Sequence, residues 1–343
     1  NEGASNLTME RPLAQKLLIQ IRRAPSADQL EVLDWLQKKF PNHLSKNENY
    51  RVFKAHILKY RWFVKLDSGE EVPIDKSNFS FKLEDETIRF DCVFNTIHGT
   101  PGEDGLFQAY LQTLDIPQTA CDYYQAALTF NKRDCISVLK SHHIQTAKNV
   151  NVNKGDDIHP QDIVDVVGLP CFVKANRAGS SYGISKVKHV DEILPALEHS
   201  FKEDDEVIIE SFLEGTEVSV GVININGKVQ ALPVTEIISE NEFFDFEAKY
   251  HGKSSEITPA NISEAQTREV QDLAVKIFKV LKLKGLTRSE FIFHNNQPHF
   301  VECNACPGLT EASILPQQAK AAGITLQDLF SNAVEVALKN FEN

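Results

Sequence analysis

Apolar and polar positions alternate along the chain in short runs that predict strands and helices from one end to the other. "KLLIQI" (16–21) has strand character, and Ser26 with Gln29 has capping-box spacing ahead of a helical series at Leu30, Leu33, Leu36 and Phe40. "YRVFKAHI" (50–57), "RWFVKL" (61–66) and "FDCVFNTI" (90–97) predict further strands, and the last runs into the loop "HGTPGEDG" (98–105). "LFQAYLQTL" (106–114) predicts a helix. Strand alternating with helix predicts an N-terminal α/β lobe over 1–120 with a mostly parallel sheet. Functional loops in such lobes sit at the C-terminal ends of strands.

A second segment, 121–212, opens with the helical "YQAALTFNKRDCISVLKSH". It continues as strand "LPCFVKA" (169–175), loop "NRAGSSYG" (176–183), strand "ISKVK", helix "VDEILPALEHSF" and strand "DEVIIESF" (205–212), a small α+β unit. The third segment, 213–343, carries strands "TEVSVGVI" (216–223) and "KVQALPVTEI" (228–237), then a turn-rich stretch. A helix over 267–282, a hairpin over 286–304 and an amphipathic helix over 326–341 complete it. No repeat or low-complexity tract is present.

Composition narrows the function classes. A chain of 343 residues exceeds one ordinary core, so two or three domains are expected. Hydrophobic content of 42 % and charged content of 24 % suit a soluble protein, and no apolar run could span a bilayer. A net charge of -12 argues against a partner made of phosphate backbone, while leaving room for a local basic cleft. Neither nucleic acid nor membrane is expected as a partner. Six cysteines without framework spacing or a signal peptide point to a reduced, cytoplasmic chain. The sequence opens at Asn1 without an initiating Met, which reads as a trimmed or incompletely recorded N-terminus.

The C-terminal hairpin holds the most specific chemistry. Taking "HNNQP" as a five-residue turn pairs Phe293 with His299, and counting outward sets Glu290 opposite Glu302. Alternation then puts Arg288 and Asn304 on the same face. Two facing carboxylates repel, so a positive group belongs between them. Two Glu and an Asn carboxamide oxygen match the hard oxygen donors of Mg²⁺; the competing reading is three polar residues on a solvated sheet face. Cys303 alternates to the opposite face, and Cys306 precedes Pro307-Gly308 rather than a helix start. A C-x-x-C without a second pair of ligands is weak evidence for zinc or redox work, so both thiols read as structural. "KANRAGSSYGISK" (174–186) is either a flexible hairpin or an anion-binding loop, and it is not a Walker loop. Lys132, Lys249 and "HGTPGEDG" are similarly ambiguous alone.

Taken in order, "HGTPGEDG", "FNK", "FVKANRAGSSYGISKV", "IIESFLEGTEVSV", "FFDFEAKY", "GLTRSEF" and "ECNACPGLTEAS" resemble the D-alanine–D-alanine ligase family of ATP-grasp enzymes, from about Tyr50 to the C-terminus. The resemblance implies three lobes, with ATP between the central and C-terminal ones. It implies that Lys132 and Lys174 touch ATP phosphates, with Ser181 also on the nucleotide, and that Lys249 meets the γ-phosphate. Glu210, Phe212 and Leu213 would line the adenine slot and Glu217 would hold the ribose. Glu290, Glu302 and Asn304 would ligate Mg²⁺, as two ions, with Mn²⁺ as an alternative. Arg288 and the Gly308 N–H would stabilise an oxyanion, Ser313 and the Ile314 N–H would bind the second substrate's carboxylate, and His98 and Glu103 would lie near the first D-alanine. Glu103, Ser180 and Tyr250 resemble the family's loop-closing trio.

The implied activity is ATP-dependent ligation of two D-alanines through an acyl phosphate, for peptidoglycan precursors. Homodimerisation is a family expectation. Tyr250 favours D-alanine over D-lactate as acceptor. The alternatives are a D-alanine–D-lactate or other ATP-grasp ligase, a non-catalytic nucleotide-binding relative, or a thiol module at Cys303 and Cys306. The family's first strand ends in a glycine-rich turn with a Glu for the first ammonium, whereas "LLIQIRRAPSADQ" has two arginines and no such glycines. Either residues 1–49 are divergent or incompletely recorded, or the first substrate is held differently.

Overall fold

The computed structural model describes residues 4–10, 16–22, 53–57, 61–66, 68–179, 183–225, 227–239 and 254–342. The capped helix expected over 26–40 lies outside them, as do Ser180, Ser181, Lys249 and Tyr250. Three sheets follow one another along the chain.

The first sheet has eight strands: β1 (Ala4–Glu10), β2 (Lys16–Arg22), β3 (Phe53–Ile57), β4 (Trp62–Lys65), β5 (Glu71–Asp75), β6 (Ser80–Leu83), β7 (Glu86–Arg89) and β8 (Cys92–Thr96). Here the expectation of a mostly parallel sheet is corrected. Only the β2–β3 and β2–β8 pairs are parallel; the run from β3 to β7 is an antiparallel meander. Parallel neighbours need a crossover of a dozen or more residues, and the links between β4 and β7 are too short for one. Phe79, Phe81, Phe90 and Phe107 fill the core above the meander, Phe107 coming from α1 (Leu106–Thr113).

Two helices follow, α2 (Tyr123–Phe130) and α3 (Lys132–Ser141), where the pattern suggested one. Asn131 is extended and caps α3, its side chain accepting from the Asp134 N–H. The second sheet takes β9 (Asn149–Asn153), α4 (Pro160–Val167), β10 (Cys171–Ala175), β11 (Ser185–Val187), α5 (Ile193–Ser200) and β12 (Glu206–Ser211), in strand order β11-β10-β12-β9.

The third sheet is built from β13 (Thr216–Ile225), β14 (Lys228–Ala231), β15 (Thr235–Ser239), β16 (Ser254–Ile257), β17 (Thr287–His294) and β18 (Gln297–Asn304). Its order is β16-β15-β13-β17-β18, with β14 on β13. Between β16 and β17 runs α6 (Glu264–Val280), which starts at a Ser263–Gln266 capping box. This sheet shares one core with α2, α3 and α6, through Ala126, Ile136, Val218, Val220, Val270, Ile277 and Phe291. The chain ends in α7 (Ile314–Ala321) and α8 (Leu326–Glu342). Phe330 of α8 meets Phe94 of β8 edge-on at 5.4 Å, tying the first and third sheets together.

Candidate active site

The β17–β18 hairpin sets one end of the site. Asn295 and Asn296 both have positive φ, at 51° and 62°, so the turn has two residues rather than the five expected. Phe293 therefore pairs with Pro298 and not His299. A bulge at Val301 absorbs one residue, and beyond it Glu290 pairs directly with Glu302 and Arg288 with Asn304. Both pairs lie on one face. Arg288 Nη2 donates to Glu290 Oε1 at 2.8 Å, supplying the positive group that the facing carboxylates require. Glu290 is only 3 % exposed. Among the described residues Arg288 Nε is buried without a hydrogen-bond partner.

β13 lies on the other side of β17 and sets Ser219 against Glu290, Gly221 against Arg288, and Glu217 two residues from Ser219 on the same face. Among the described residues the Ser219 hydroxyl is buried without a hydrogen-bond partner. Gln318 of α7 braces this strand, accepting from the Gly221 N–H at 2.9 Å and donating to the Ser219 carbonyl at 2.8 Å. Neither Ser219 nor Gln318 was singled out from sequence. A hydroxyl within an apolar strand is a local signal; Gln318, bonded to a residue about a hundred positions away, has none.

The central sheet contributes lysines. Lys174, on β10, donates to Glu210 Oε2 of β12 at 2.7 Å, with both side chains largely buried. Burial lowers its pKa, but the charges of Glu210, Glu302 and Glu217 outweigh it and hold the ammonium above the ordinary lysine range. Carboxylates of the third sheet thus act on a lysine of the second across the cleft. Lys132 Nζ, at the start of α3, donates to the Ala178 carbonyl at 2.7 Å in the glycine-containing loop. Asn176, at the start of that loop, ties it to the cap of α3 and to β12, donating to Asn131 Oδ1 and Glu206 Oε2. Phe212 stands 6.0 Å from Phe172, with Lys186 Nζ 4.6 Å over its ring, and Leu213 follows it at the end of β12.

A third wall comes from the first sheet. His98 and Glu103 follow β8, their side chains 3.8 Å apart, and Glu103 accepts from the Gly99 N–H. The Cys306 thiol reaches the Asn95 carbonyl at 3.5 Å, and its pKa is raised chiefly by burial and further by Glu103. The loop after β8 therefore lies against the Pro307-Gly308 turn. Ser313 is the N-cap residue of α7; its hydroxyl makes no capping bond and lies 2.8 Å from Thr310 Oγ1. Cys303 points away from Glu302, and burial pushes its thiol up to about 12.

Two Glu and one Asn suit a hard cation that takes its remaining oxygens from phosphates and water. Among the described residues no group of three or more His, Cys, Asp or Glu side chains is arranged to hold a metal unaided. No helix among them is long and apolar enough to cross a membrane.

The family model "D-ala D-ala ligase C-terminus" matches residues 136–335. The D-alanine–D-alanine ligase of Christiangramia forsetii is 64 % identical over 289 residues, spanning 84 % of this chain and 89 % of that protein. Among solved structures, D-alanyl-alanine synthetase A of Vibrio cholerae superposes with a TM-score of 0.80 at 25 % identity, covering 94 % of this chain and 98 % of that one. The Bacillus anthracis D-alanine–D-alanine ligase complexed with ATP gives 0.65 at 28 % identity, over 74 % and 81 %.

Proposed function

The chain belongs to the D-alanine–D-alanine ligase family, and from that premise we infer that it is an ATP-dependent ligase joining two D-alanines into D-alanyl-D-alanine for peptidoglycan precursors. The observation that carries this reading is the direct Glu290–Glu302 pair, with Arg288 bonded to Glu290 and Glu302 acting electrostatically on Lys174 across the cleft.

Each residue then has a task. Lys132 and Lys174 neutralise ATP phosphates, with Ser181 beside them and Lys249 on the γ-phosphate. Phosphoryl transfer asks for positioning and charge neutralisation more than covalent help. Glu210, Phe212 and Leu213 receive the adenine, and Glu217 the ribose. Glu290, Glu302 and Asn304 would hold magnesium, which when bound would supply charge neutralisation for the phosphates.

The first D-alanine, near His98 and Glu103, accepts the γ-phosphoryl group on its carboxylate. The second, with its carboxylate on Ser313 and the Ile314 N–H, attacks the acyl phosphate through its amine. Arg288 and the Gly308 N–H stabilise the tetrahedral oxyanion until phosphate leaves, and an Arg288 Nε that is buried with no partner among the described residues supports that task. Glu103, Ser180 and Tyr250 close the site against water, which would hydrolyse the acyl phosphate.

Phosphate release from ATP, measured with D-alanine, L-alanine and D-lactate offered separately, tests the reading. D-alanine should support release that largely disappears in Arg288→Ala; equal release with L-alanine would overturn the substrate assignment.

A further inference from the structure

One carboxylate on the reactive face is left without a task. Glu256 of β16 pairs with Ile237 of β15, which pairs with Glu217 of β13, so Glu256 shares the face of Glu217, Ser219 and Glu290. Gln317 Nε2 reaches Glu256 Oε2 at 3.4 Å and donates to the Ala312 carbonyl at 2.6 Å, while the Gln317 N–H bonds the Ser313 carbonyl. Glu256 is thereby bridged to the turn assigned to the acceptor's carboxylate. It is also within the field of the reaction centre. Burial raises its pKa first, Arg288 pulls it down and Glu290 pushes it up.

We propose that Glu256 binds the ammonium of the acceptor amino acid and makes the site prefer an amine over a hydroxyl acceptor. This rests on the ligase reading above. An acceptor seated by its carboxylate at Ser313 must present its nitrogen toward the carbonyl that Arg288 polarises. An arriving ammonium is repelled by Arg288, so it needs a carboxylate beside it. Glu290 and Glu302 would be taken up by the metal; Glu256 is linked through Gln317 to the Ser313 turn and feels the charge of Arg288. A hydroxy acid offers no charge to Glu256 and leaves a part-buried carboxylate uncompensated. Sites built around a polar partner discriminate strongly against analogues that lack it.

The test is a competition. Wild type, Glu256→Gln and Glu256→Asp receive ATP, Mg²⁺ and equimolar D-alanine and D-lactate, and the ratio of ester to dipeptide is read by mass spectrometry beside KM for the acceptor and for ATP. Glu256→Gln should raise the ester-to-dipeptide ratio at least about tenfold and acceptor KM by about tenfold, with ATP KM changed less than about twofold. Glu256→Asp, which keeps the charge, should stay near the wild-type ratio. An unchanged ratio in Glu256→Gln, an equal rise in both variants, or parallel shifts in both KM values overturns the proposal. If Glu256→Gln fails to fold, the Asp variant decides, since a ratio raised tenfold with the charge retained rejects it. Wild type yielding no dipeptide would instead sink the ligase reading itself.

Discussion

Arg288 and Glu290 stand two positions apart on β17 and bond at 2.8 Å on one face, leaving the Arg288 Nε buried with no acceptor among the described residues. The guanidinium is therefore anchored through one nitrogen while another is held ready. A lysine in its place keeps a cation over Glu290 but cannot present both nitrogens. Arg288→Lys should lower kcat by about 10²–10³, the loss typical of one oxyanion donor, while the thermal midpoint moves by only a few degrees. Steady-state kinetics beside thermal denaturation separates the two effects.

Lys174 and Glu210 form a largely buried pair, 15 % and 6 % exposed at their side chains. Removing the lysine alone strands a carboxylate inside the cleft, whereas removing both charges does not. Lys174→Met should cost about 3–5 kcal/mol in denaturant unfolding, and Lys174→Met with Glu210→Leu should recover most of it. The sign of the pH dependence follows from a lysine pKa that is raised in the folded chain. The stabilisation is complete below the ordinary lysine range and is lost as pH rises through the folded value. Wild type should lose stability at alkaline pH over a window that is missing in the double variant.

Period-two alternation made the reactive hairpin legible. Glu290 and Glu302 fall opposite each other by counting, although two errors cancelled: the turn is shorter than expected, and Val301 restores the register. That cancellation was invisible because a bulge leaves no apolar signature. The β5–β7 meander escaped for a different reason. Its strands are only four or five residues long and partly charged and exposed, and each gives the core only one buried apolar side chain, Ile74, Phe81 and Ile88 in turn, too few for a clear period-two signal. Glu256 was unreadable because its significance depends on Gln317, 61 positions away, and on strand order. Sequence motifs supplied the ordered lysines and acids, and topology alone supplied the residues that brace them.

The C-x-x-C pair offers a clear contrast between thiol and carboxylate chemistry. All six cysteines are free and buried, and the Cys303 and Cys121 thiols are each raised to about 12, chiefly by burial. A thiol that stays protonated is a poor nucleophile and a poor zinc ligand. Labelling of the native protein with a thiol reagent should be slow, reaching six groups only after denaturation. Chelation should abolish activity and added Mg²⁺ should restore it, with no effect of reductant. Rapid native labelling of Cys303 or Cys306, coupled to loss of activity, would reinstate the thiol reading.

Gly308 lies so close to the acceptor turn that a methyl group there would act on one side chain. A Cβ at 308 would stand 2.7 Å from Ser313 Oγ and 3.3 Å from Ser313 Cβ. The serine hydroxyl is the easiest of these atoms to move, but rotating it away breaks its 2.8 Å contact with Thr310 Oγ1 and withdraws it from the place proposed for the acceptor's carboxylate. The change acts on binding rather than on folding, because among the described residues only Ser313 atoms come within 4 Å of that Cβ. Gly308→Ala should raise KM for the acceptor D-alanine by about tenfold, the worth of one lost hydrogen bond to a charged group, and leave KM for ATP near wild type. Initial rates with each substrate varied in turn check this, and an ATP KM that rises in step would mean that the turn supports the nucleotide instead.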